Sequence, residues 1–268
     1  MWPKVLFKHM ALITPRLFSH VAKLNFIHII ISLAANLDWP LHQLDVKNAF
    51  LHGDLNDIVY MAQPPEFESK GEYVCHLKKS IYGLKQSSRA WFDKFSKVVV
   101  SNGMTRNQAD HSVFFKKTRI GIVILVFYVD DIVITESDKE GIQILISHLR
   151  SSFLTKNLGK LCYILGIEVA TSKVDISLSQ RKYTLDILQD TSYLGSKPIA
   201  TPMETNLKLM LDEGDFVDDL DTYRRLVGKF IYLTITRPDI SYAVTIVSQF
   251  MTSPGVPHIN AISQSYAS

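Results

Sequence analysis

Two adjacent aspartates, Asp130 and Asp131, interrupt an apolar, β-branched run that extends from Ile122 to Ile134. Burying a carboxylate costs several kcal/mol unless it is paired or binds a metal, and two adjacent carboxylates also repel each other. The flanking β-formers predict a strand, a tight turn and a second strand, with both carboxylates at the hairpin tip. At such a tip the two side chains are exposed enough to hold a magnesium ion.

A third carboxylate, Asp45, lies between Leu44 and Val46 in a segment that follows Pro40 and alternates apolar with polar residues. This alternation predicts a strand that ends near Asp45. If that strand lies beside the strand that carries Asp130, three carboxylates meet at one edge of a sheet. Magnesium binds one or two carboxylates together with water and phosphates, and two such ions can clamp the attacking and leaving oxygens of a phosphoryl transfer.

The same aspartates also have a purely structural interpretation. An Asp-Asp pair is commonly a turn or a solvated surface pair, and a single aspartate after a strand is commonly a helix N-cap. Residue types and spacing do not by themselves separate catalysis from these structural roles. The order of further motifs along the chain decides between them.

Six segments resemble, in the family's order, the motifs of reverse transcriptases from copia-type (pseudoviral) LTR retrotransposon polyproteins. The resemblance extends over roughly residues 21 to 255. They are the YVDD signature at residues 128–131, the first aspartate motif at 41–51, the template-and-nucleotide motif at 77–91, the primer-grip hairpin at 163–169, and two later landmarks at 176–183 and 236–244. So many motifs in one order do not arise by chance, so the sequence is identified as a member of that family.

The resemblance implies a two-metal RNA-directed DNA polymerase, with two Mg²⁺ ions for which Mn²⁺ can substitute. Asp45 and Asp130 would bind both metals, the Val46 carbonyl would help to hold one of them, and Asp131 would be the neighbouring, less direct carboxylate. Phe50 would be the bulky gate that rejects a ribose 2′-hydroxyl.

The resemblance also implies contacts with an RNA or DNA template-primer and a deoxynucleoside triphosphate. Leu165 and Gly166 would lie in the primer grip. The nucleotide- and template-binding residues that it implies are Phe50, Gly83, Lys85, Gln86, Arg89 and Tyr128. The sequence leaves the oligomeric state open.

The elements that must position these residues fit the α+β polymerase palm that the family implies, an antiparallel sheet with helices on one face, with partial fingers and a thumb/connection, truncated at both ends. The expected divisions are a divergent or disordered N-terminal segment at 1–20, fingers and palm at 21–158, a primer-grip hairpin and thumb start at 159–195, an acidic linker at 196–221, and truncated connection helices at 222–268. Apolar periodicity predicts helices at 21–36, 87–100, 139–153, 180–188, 222–234 and 238–251.

The sequence departs from the family at several positions. Residues 1–20 lack the basic hairpin that grips the triphosphate, and Ser88 stands in place of the usual proline. Glu136 stands where a glycine is common after the hairpin, and if that turn needs a positive φ it costs about 1 kcal/mol. After Pro257 the helical pattern is expected to dissolve.

Length and composition set broad limits. A chain of 268 residues with net charge +3 can bury one large or two modest cores, and its mild basicity permits nucleic-acid binding without demanding it. Cys75 and Cys162 lie far apart, which indicates a reducing compartment and disfavours zinc. No apolar run reaches the length of about 18 residues that a membrane span needs. We therefore expect a cytoplasmic or nuclear protein with no signal peptide, transmembrane segment or membrane partner.

Two other functions remain open at this point. The chain could be an inactive retrotransposon relic that binds nucleic acid without catalysis, for which the missing fingers are the discriminating feature. It could also be an adaptor recruited by the host, with an exposed apolar patch at 222–251 as its interaction surface.

Overall fold

The computed structural model describes residues 5–6, 22–67, 73–197, 199, 201–204, 207, 209–210, 214–215 and 219–266. The chain forms two compact units, Met1–Leu161 and Cys162–Ser268. Each unit has its own buried apolar cluster. The mixture of helices and antiparallel sheets confirms the predicted α+β class.

Six strands of the first unit form one antiparallel sheet, and three others form a smaller one. The elements in chain order are β1 (Val5–Leu6), α1 (Leu24–Leu37), β2 (Leu41–Val46), a 3₁₀ helix (Ala49–His52), β3 (Asp54–Ala62), a 3₁₀ helix (Pro65–Phe67), β4 (Val74–Lys79), α2 (Ser87–Ser101), β5 (Thr105–Arg106), β6 (Val113–Lys117), β7 (Ile122–Tyr128), β8 (Asp131–Glu136), α3 (Lys139–Ser152) and β9 (Thr155–Lys160). The large sheet has the order β5-β6-β7-β8-β2-β9, and the small sheet has the order β1-β3-β4.

The core of the first unit contains residues from the large sheet and from helices α2 and α3. Val123, Leu125 and Phe127 are the members of this core from strand β7. Ile124 and Val126, which alternate with them, are buried as well. Successive side chains of a strand point to opposite faces, so β7 is buried on both faces. This double burial explains why the sequence before the two aspartates is continuously apolar rather than alternating.

Two features of the first unit differ from the predictions. Glu136 is the last residue of β8, buried and without a positive φ, so the penalty expected for a turn does not arise. Its carboxylate Oε1 lies 3.5 Å from His42 Nε2 on β2. Strand β9 was not predicted, because its sequence is polar and includes Gly159, which has a φ of +83°.

The second unit consists of a three-stranded antiparallel sheet and a group of helices. Its elements are β10 (Tyr163–Ile164), β11 (Ile167–Thr171), β12 (Ile176–Ser179), α4 (Arg181–Asp190), α5 (Leu220–Leu233), a 3₁₀ helix (Pro238–Ile240), α6 (Ser241–Ser248) and α7 (Val256–Tyr266). Side chains from the four α-helices, together with Met203, Ile240 and Phe250, form its core.

Helix α7 corrects the expectation that the helical pattern ends after Pro257. The segment is rich in Ser and Asn, which are weak helix formers. Ala261 and Ile262 are nevertheless buried in the core of the second unit. Tertiary burial therefore outweighs the weak local propensity at this end of the described chain.

Other expectations fall wholly or partly outside the described residues. The N-terminal segment 1–20 is described only at Val5–Leu6, which pairs with Met61 and Tyr60 of β3. The acidic linker 196–221 is described only in part. Among the helices of the described residues, none is long and apolar enough to cross a membrane.

Candidate active site

The register of the large sheet places Asp45 beside Asp131. Strands β2 and β8 are antiparallel, with Asp45 opposite Asp131, and the Val46 N–H donates to the Asp130 carbonyl at 2.8 Å. Directly opposed residues share a face, with Cβ atoms about 4.5–5.5 Å apart. The structure therefore brings the three predicted aspartates to one edge of the sheet.

Asp130 has one carboxylate oxygen that is paired and one that is not. Its Oδ2 accepts a hydrogen bond from the Tyr82 hydroxyl at 3.2 Å. Its Oδ1 is buried and has no hydrogen-bond partner. Burial raises the pKa of Asp130, and repulsion by Asp45 and Asp131 adds to this, while the Tyr82 hydrogen bond acts in the opposite direction. A buried oxygen without a partner is a site that a cation would satisfy.

Asp131 has a different environment from that of its neighbour. Its Oδ1 accepts a hydrogen bond from Gln43 Nε2 at 2.9 Å. Burial raises the pKa of Asp131, and the charge of Asp45 raises it further, although the Gln43 hydrogen bond lowers it. Each aspartate of the pair therefore has one oxygen that accepts a hydrogen bond, from Tyr82 at Asp130 and from Gln43 at Asp131. What distinguishes Asp130 is its second oxygen, which is buried and has no hydrogen-bond partner.

The donor set at this edge suits a magnesium ion that takes two carboxylates. Within the described ranges, no group of three or more His, Cys, Asp and Glu side chains is arranged to hold a metal. Magnesium does not need such a cage, since it is commonly held by one or two carboxylates plus substrate phosphates and water. The unpaired Asp130 Oδ1, close enough to Asp45 for their charges to interact, fits that mode of binding.

The turn that carries Asp130 is held by the core. Tyr128 pairs with Asp131, which leaves Val129 and Asp130 as a two-residue connection. Val129 has a φ of +52°, a conformation that a β-branched residue rarely adopts. Trp91, which is fully buried, donates its Nε1–H to the Val129 carbonyl at 2.7 Å. The aromatic core of the first unit therefore fixes the backbone that presents Asp130.

Phe50 lies in the 3₁₀ helix that follows β2. Its carbonyl accepts hydrogen bonds from the Gly53 N–H at 2.9 Å and from the Ser80 hydroxyl. A Cβ on Gly53 would lie 2.6 Å from Ser80 Oγ and 2.8 Å from the Trp91 backbone nitrogen, so only glycine fits there. The Phe50 ring contacts the Tyr82 ring, with a centroid separation of 4.5 Å.

The other predicted nucleotide- and template-binding residues lie in three places. Gly83, with a φ of +93°, and the exposed Lys85 precede helix α2. Gln86 and Arg89 line a cleft of about 330 Å³ between the start of β3 and helix α2. Tyr128 lies opposite Asp131 in the hairpin. Within this group, Tyr128 pairs with Asp131, and the Phe50 ring contacts Tyr82, whose hydroxyl donates to Asp130.

The residues predicted for the primer grip belong to the second unit. Leu165 and Gly166 form the turn between β10 and β11, with φ values of +52° and +74°. The Tyr232 hydroxyl donates to the Leu165 carbonyl. The Tyr232 ring also packs edge-on against Tyr183, with centroids 5.2 Å apart.

Three residues beside the aspartates were missed by sequence reasoning. Gln43 precedes Asp45 by two positions, so the period of a strand already placed both on one face. Tyr82 lies inside a recognised motif, but nothing local indicates its hydrogen bond to Asp130. Lys156 of β9 is the register partner of Asp45 on the side away from Asp131, and it was missed because β9 was not predicted.

Comparisons with known proteins show the family of the chain. Residues 9–205 match the family model described as reverse transcriptase (RNA-dependent DNA polymerase). The chain is 44% identical over 247 residues to the retrovirus-related Pol polyprotein from transposon RE2 of Arabidopsis thaliana, covering 91% of this chain and 17% of that protein. It is 39% identical over 260 residues to the Pol polyprotein from transposon TNT 1-94 of Nicotiana tabacum, covering 92% of this chain and 19% of that protein.

A similar relation extends to yeast. The chain is 28% identical over 222 residues to the putative transposon Ty5-1 protein YCL074W of Saccharomyces cerevisiae, covering 81% of this chain and 72% of that protein. No solved structure matches the chain. This chain spans less than a fifth of the length of the two plant polyproteins. The chain belongs to the reverse transcriptase (RNA-dependent DNA polymerase) family, as a reverse transcriptase domain of the copia-type retrotransposon group.

Proposed function

We propose that the first unit contains the palm and partial fingers of a polymerase that extends a primer 3′-hydroxyl by two-metal nucleotidyl transfer. The observation that carries the proposal is the edge of the large sheet. There Asp45 and Asp131 are opposed in register, and Asp130 has a buried oxygen without a partner. Three carboxylates are gathered there, and a divalent cation would relieve both their repulsion and the unpaired oxygen.

Asp45, Asp130 and the Val46 carbonyl would hold the metals in this proposal. The chemistry that two Mg²⁺ or Mn²⁺ ions supply when bound is activation of the hydroxyl and stabilisation of the departing pyrophosphate. Asp131 acts less directly in this proposal, and Gln43 holds its side chain through one oxygen. The protein's part is to hold the carboxylates in place through the strained Val129 turn and the buried Trp91.

Phe50 is the gate that rejects ribose in this proposal. Its backbone is fixed by Ser80 and Gly53, and its ring stands against Tyr82. A rigid ring below the sugar excludes a 2′-hydroxyl by sterics, because the fixed backbone leaves it little room to move.

The substrates are an RNA or DNA template-primer and a deoxynucleoside triphosphate. Gly83, Lys85, Gln86, Arg89 and Tyr128 contact the nucleotide or template. Lys85 and Arg89 are exposed cations suited to phosphates. In the second unit, Leu165 and Gly166 form the primer grip, and the surrounding helices form the thumb and connection.

Primer extension on a homopolymer template with Mg²⁺ or Mn²⁺ tests the function. Asp130→Asn keeps the shape of the side chain and removes its charge, so we expect incorporation to fall by roughly 100-fold or more. Asp186→Asn is the matched control, since it removes one exposed carboxylate from helix α4 of the second unit and is expected to leave incorporation unchanged.

Two outcomes would contradict the proposal. Equal incorporation by Asp130→Asn and wild type would show that this edge is not the catalytic centre. A wild-type chain that binds template-primer in a filter assay and incorporates nothing would instead support the inactive relic.

A further inference from the structure

Tyr82 contacts both Phe50, the proposed gate against ribose, and Asp130. It follows strand β4 and precedes helix α2, in the segment that also contains Gly83. Its ring lies 4.5 Å from the Phe50 ring, and its hydroxyl lies 3.2 Å from Asp130 Oδ2. These two contacts come from the same side chain and join two parts of the site that are otherwise built on different elements.

The hydroxyl contact divides the two oxygens of Asp130 between two tasks. Oδ2 is held by Tyr82, and Oδ1 is buried without a partner. With one oxygen tied, the carboxylate cannot rotate freely about its side-chain bonds, so the second oxygen stays in one position. A hydrogen bond of this kind, made to a metal ligand rather than to the metal, orients the ligand.

The ring contact restrains the Phe50 side chain, whereas the hydrogen bonds to its carbonyl restrain only its backbone. Hydrogen bonds from the Gly53 N–H and the Ser80 hydroxyl fix the Phe50 carbonyl, but these bonds do not involve the Phe50 ring. Phe50 is only partly buried against the core of the first unit. The Tyr82 ring, tilted by 58° to that of Phe50, supplies an aromatic neighbour that limits its movement.

Tyr82 is itself held in place more firmly than its exposure suggests. Although 42% of it is exposed, the segment around it is anchored by its neighbours. The Ser87 hydroxyl donates to the Ile81 carbonyl at 2.6 Å, and the Leu84 N–H donates to the same carbonyl at 3.5 Å. Leu84 is buried. A side chain on such an anchored turn can act as a fixed contact for both partners.

We propose that Tyr82 is a positioning residue that serves both metal binding and sugar selection, with its hydroxyl orienting Asp130 and its ring supporting Phe50. The inference rests on the proposed function, which it deepens by adding a residue that was not assigned from sequence. The two halves of the side chain have separate tasks, so different substitutions separate them.

The hydroxyl is tested by Tyr82→Phe, which keeps the ring. Mn²⁺ binding to the chain without nucleic acid, followed by electron paramagnetic resonance, is expected to weaken by about 10-fold. Tyr73→Phe is the matched control, because Tyr73 is exposed and lies at the start of β4, and its Mn²⁺ affinity is expected to equal that of wild type. Equal or tighter Mn²⁺ binding by Tyr82→Phe overturns the orienting role.

The ring is tested by Tyr82→Leu, which removes both the aromatic contact and the hydroxyl. The preference for deoxynucleotides over ribonucleotides, measured as a ratio of kcat/KM values, is expected to fall by about 10-fold. Tyr82→Phe is expected to keep the wild-type preference, and Phe50→Ala shows the preference that remains without a gate. A preference unchanged in Tyr82→Leu overturns the supporting role.

The two proposals fail in different ways. If wild type neither binds Mn²⁺ nor extends a primer, the proposed function fails and this inference fails with it. If wild type does both, and the two Tyr82 variants match it, only the two roles of Tyr82 are refuted. If wild type binds Mn²⁺ without extending a primer, the Tyr82→Phe titration still decides the orienting role.

Discussion

The two-residue turns at Val129-Asp130 and at Leu165-Gly166 have the same length but differ in their residues and in the contacts that hold them. Each joins two antiparallel strands, and each begins with a non-glycine residue at a φ of +52°. The second turn continues with Gly166 at +74°, as expected for the two left-handed positions of a tight hairpin. The first turn has no glycine, and its left-handed residue is β-branched.

The two turns are also held differently. Val129 is fixed by a hydrogen bond from the fully buried Trp91, and the Asp130 carbonyl accepts one from the Val46 N–H. Leu165 receives its hydrogen bond from the Tyr232 hydroxyl, which is only partly buried.

The difference shows what makes each turn. The turn at Leu165 has a glycine at its second left-handed position, whereas the turn at Val129 has no glycine and is held by the core. Strained residues of this kind cluster at functional sites, where surrounding structure determines them. In the first unit, this strained turn holds the Asp130 carboxylate in place.

The largest expected effect is on the turn that depends on the core. Trp91→Phe leaves the Val129 carbonyl without its donor and opens space among Phe95, Phe127 and Phe153. We expect a loss of about 2–4 kcal/mol in the free energy of unfolding, measured by urea denaturation.

Tyr232→Phe is the matched change at the other turn. It removes only a partly buried hydroxyl, so about 1 kcal/mol should be lost. If the two substitutions destabilise their units equally, the core does not hold the first turn more firmly than Tyr232 holds the second.

A smaller effect is expected from Gly166→Ala. A Cβ at Gly166 would meet Tyr232 at an ordinary distance of 3.6 Å, so the penalty is the positive φ alone and amounts to about 1–2 kcal/mol. Gly228→Ala is the control, because Gly228 lies in helix α5 with open space around it and should gain about 0.5–1 kcal/mol. Thermal unfolding of both variants measures the contrast, and an unchanged Gly166→Ala would show that this turn does not need glycine.

The smallest expected effect is a dependence on pH confined to the charged turn. The pKa of Asp131 is raised above its ordinary value of 3.8, so its ionised form opposes folding at pH values above the raised pKa. Asp131→Asn should therefore be more stable than wild type at pH 7, and the difference should disappear as the pH falls below 3.8, where both folded and unfolded chains are protonated. Urea denaturation at several pH values measures this, with Asp186→Asn as a surface control. If the difference in stability between Asp131→Asn and wild type instead grows as the pH falls, the pKa of Asp131 is not raised in the folded chain and the prediction is wrong.

The sequence predicted the parts of the fold that follow from local pattern. Alternation before Asp45 and the apolar run around Asp130 and Asp131 located β2 and the β7–β8 hairpin. Their pairing followed from the need to bring distant carboxylates together. Helices α2 and α3 followed from apolar spacing, with errors of a residue or two at their ends.

The parts that depend on long-range contacts were not predictable. Strand β9 has no apolar alternation and exists because β2 offers it a hydrogen-bonding edge. Glu136 was assigned to a turn because its burial and its side-chain contact with His42 are not visible in the sequence. At the candidate site, the side-chain hydrogen bond from Tyr82 to Asp130 has no local signal at all.

Strand β9 has a consequence beyond its pairing with Asp45. Within the described part of the chain, it is one of the two outer strands of the large sheet, with one side paired to β2. Such a border tends to recruit strands from other molecules and to seed aggregates. Here it carries Lys156 and Lys160, an irregular register and a glycine in the left-handed region. These features discourage edge-to-edge association between copies, so copies of the protein do not assemble through the sheet edge next to Asp45.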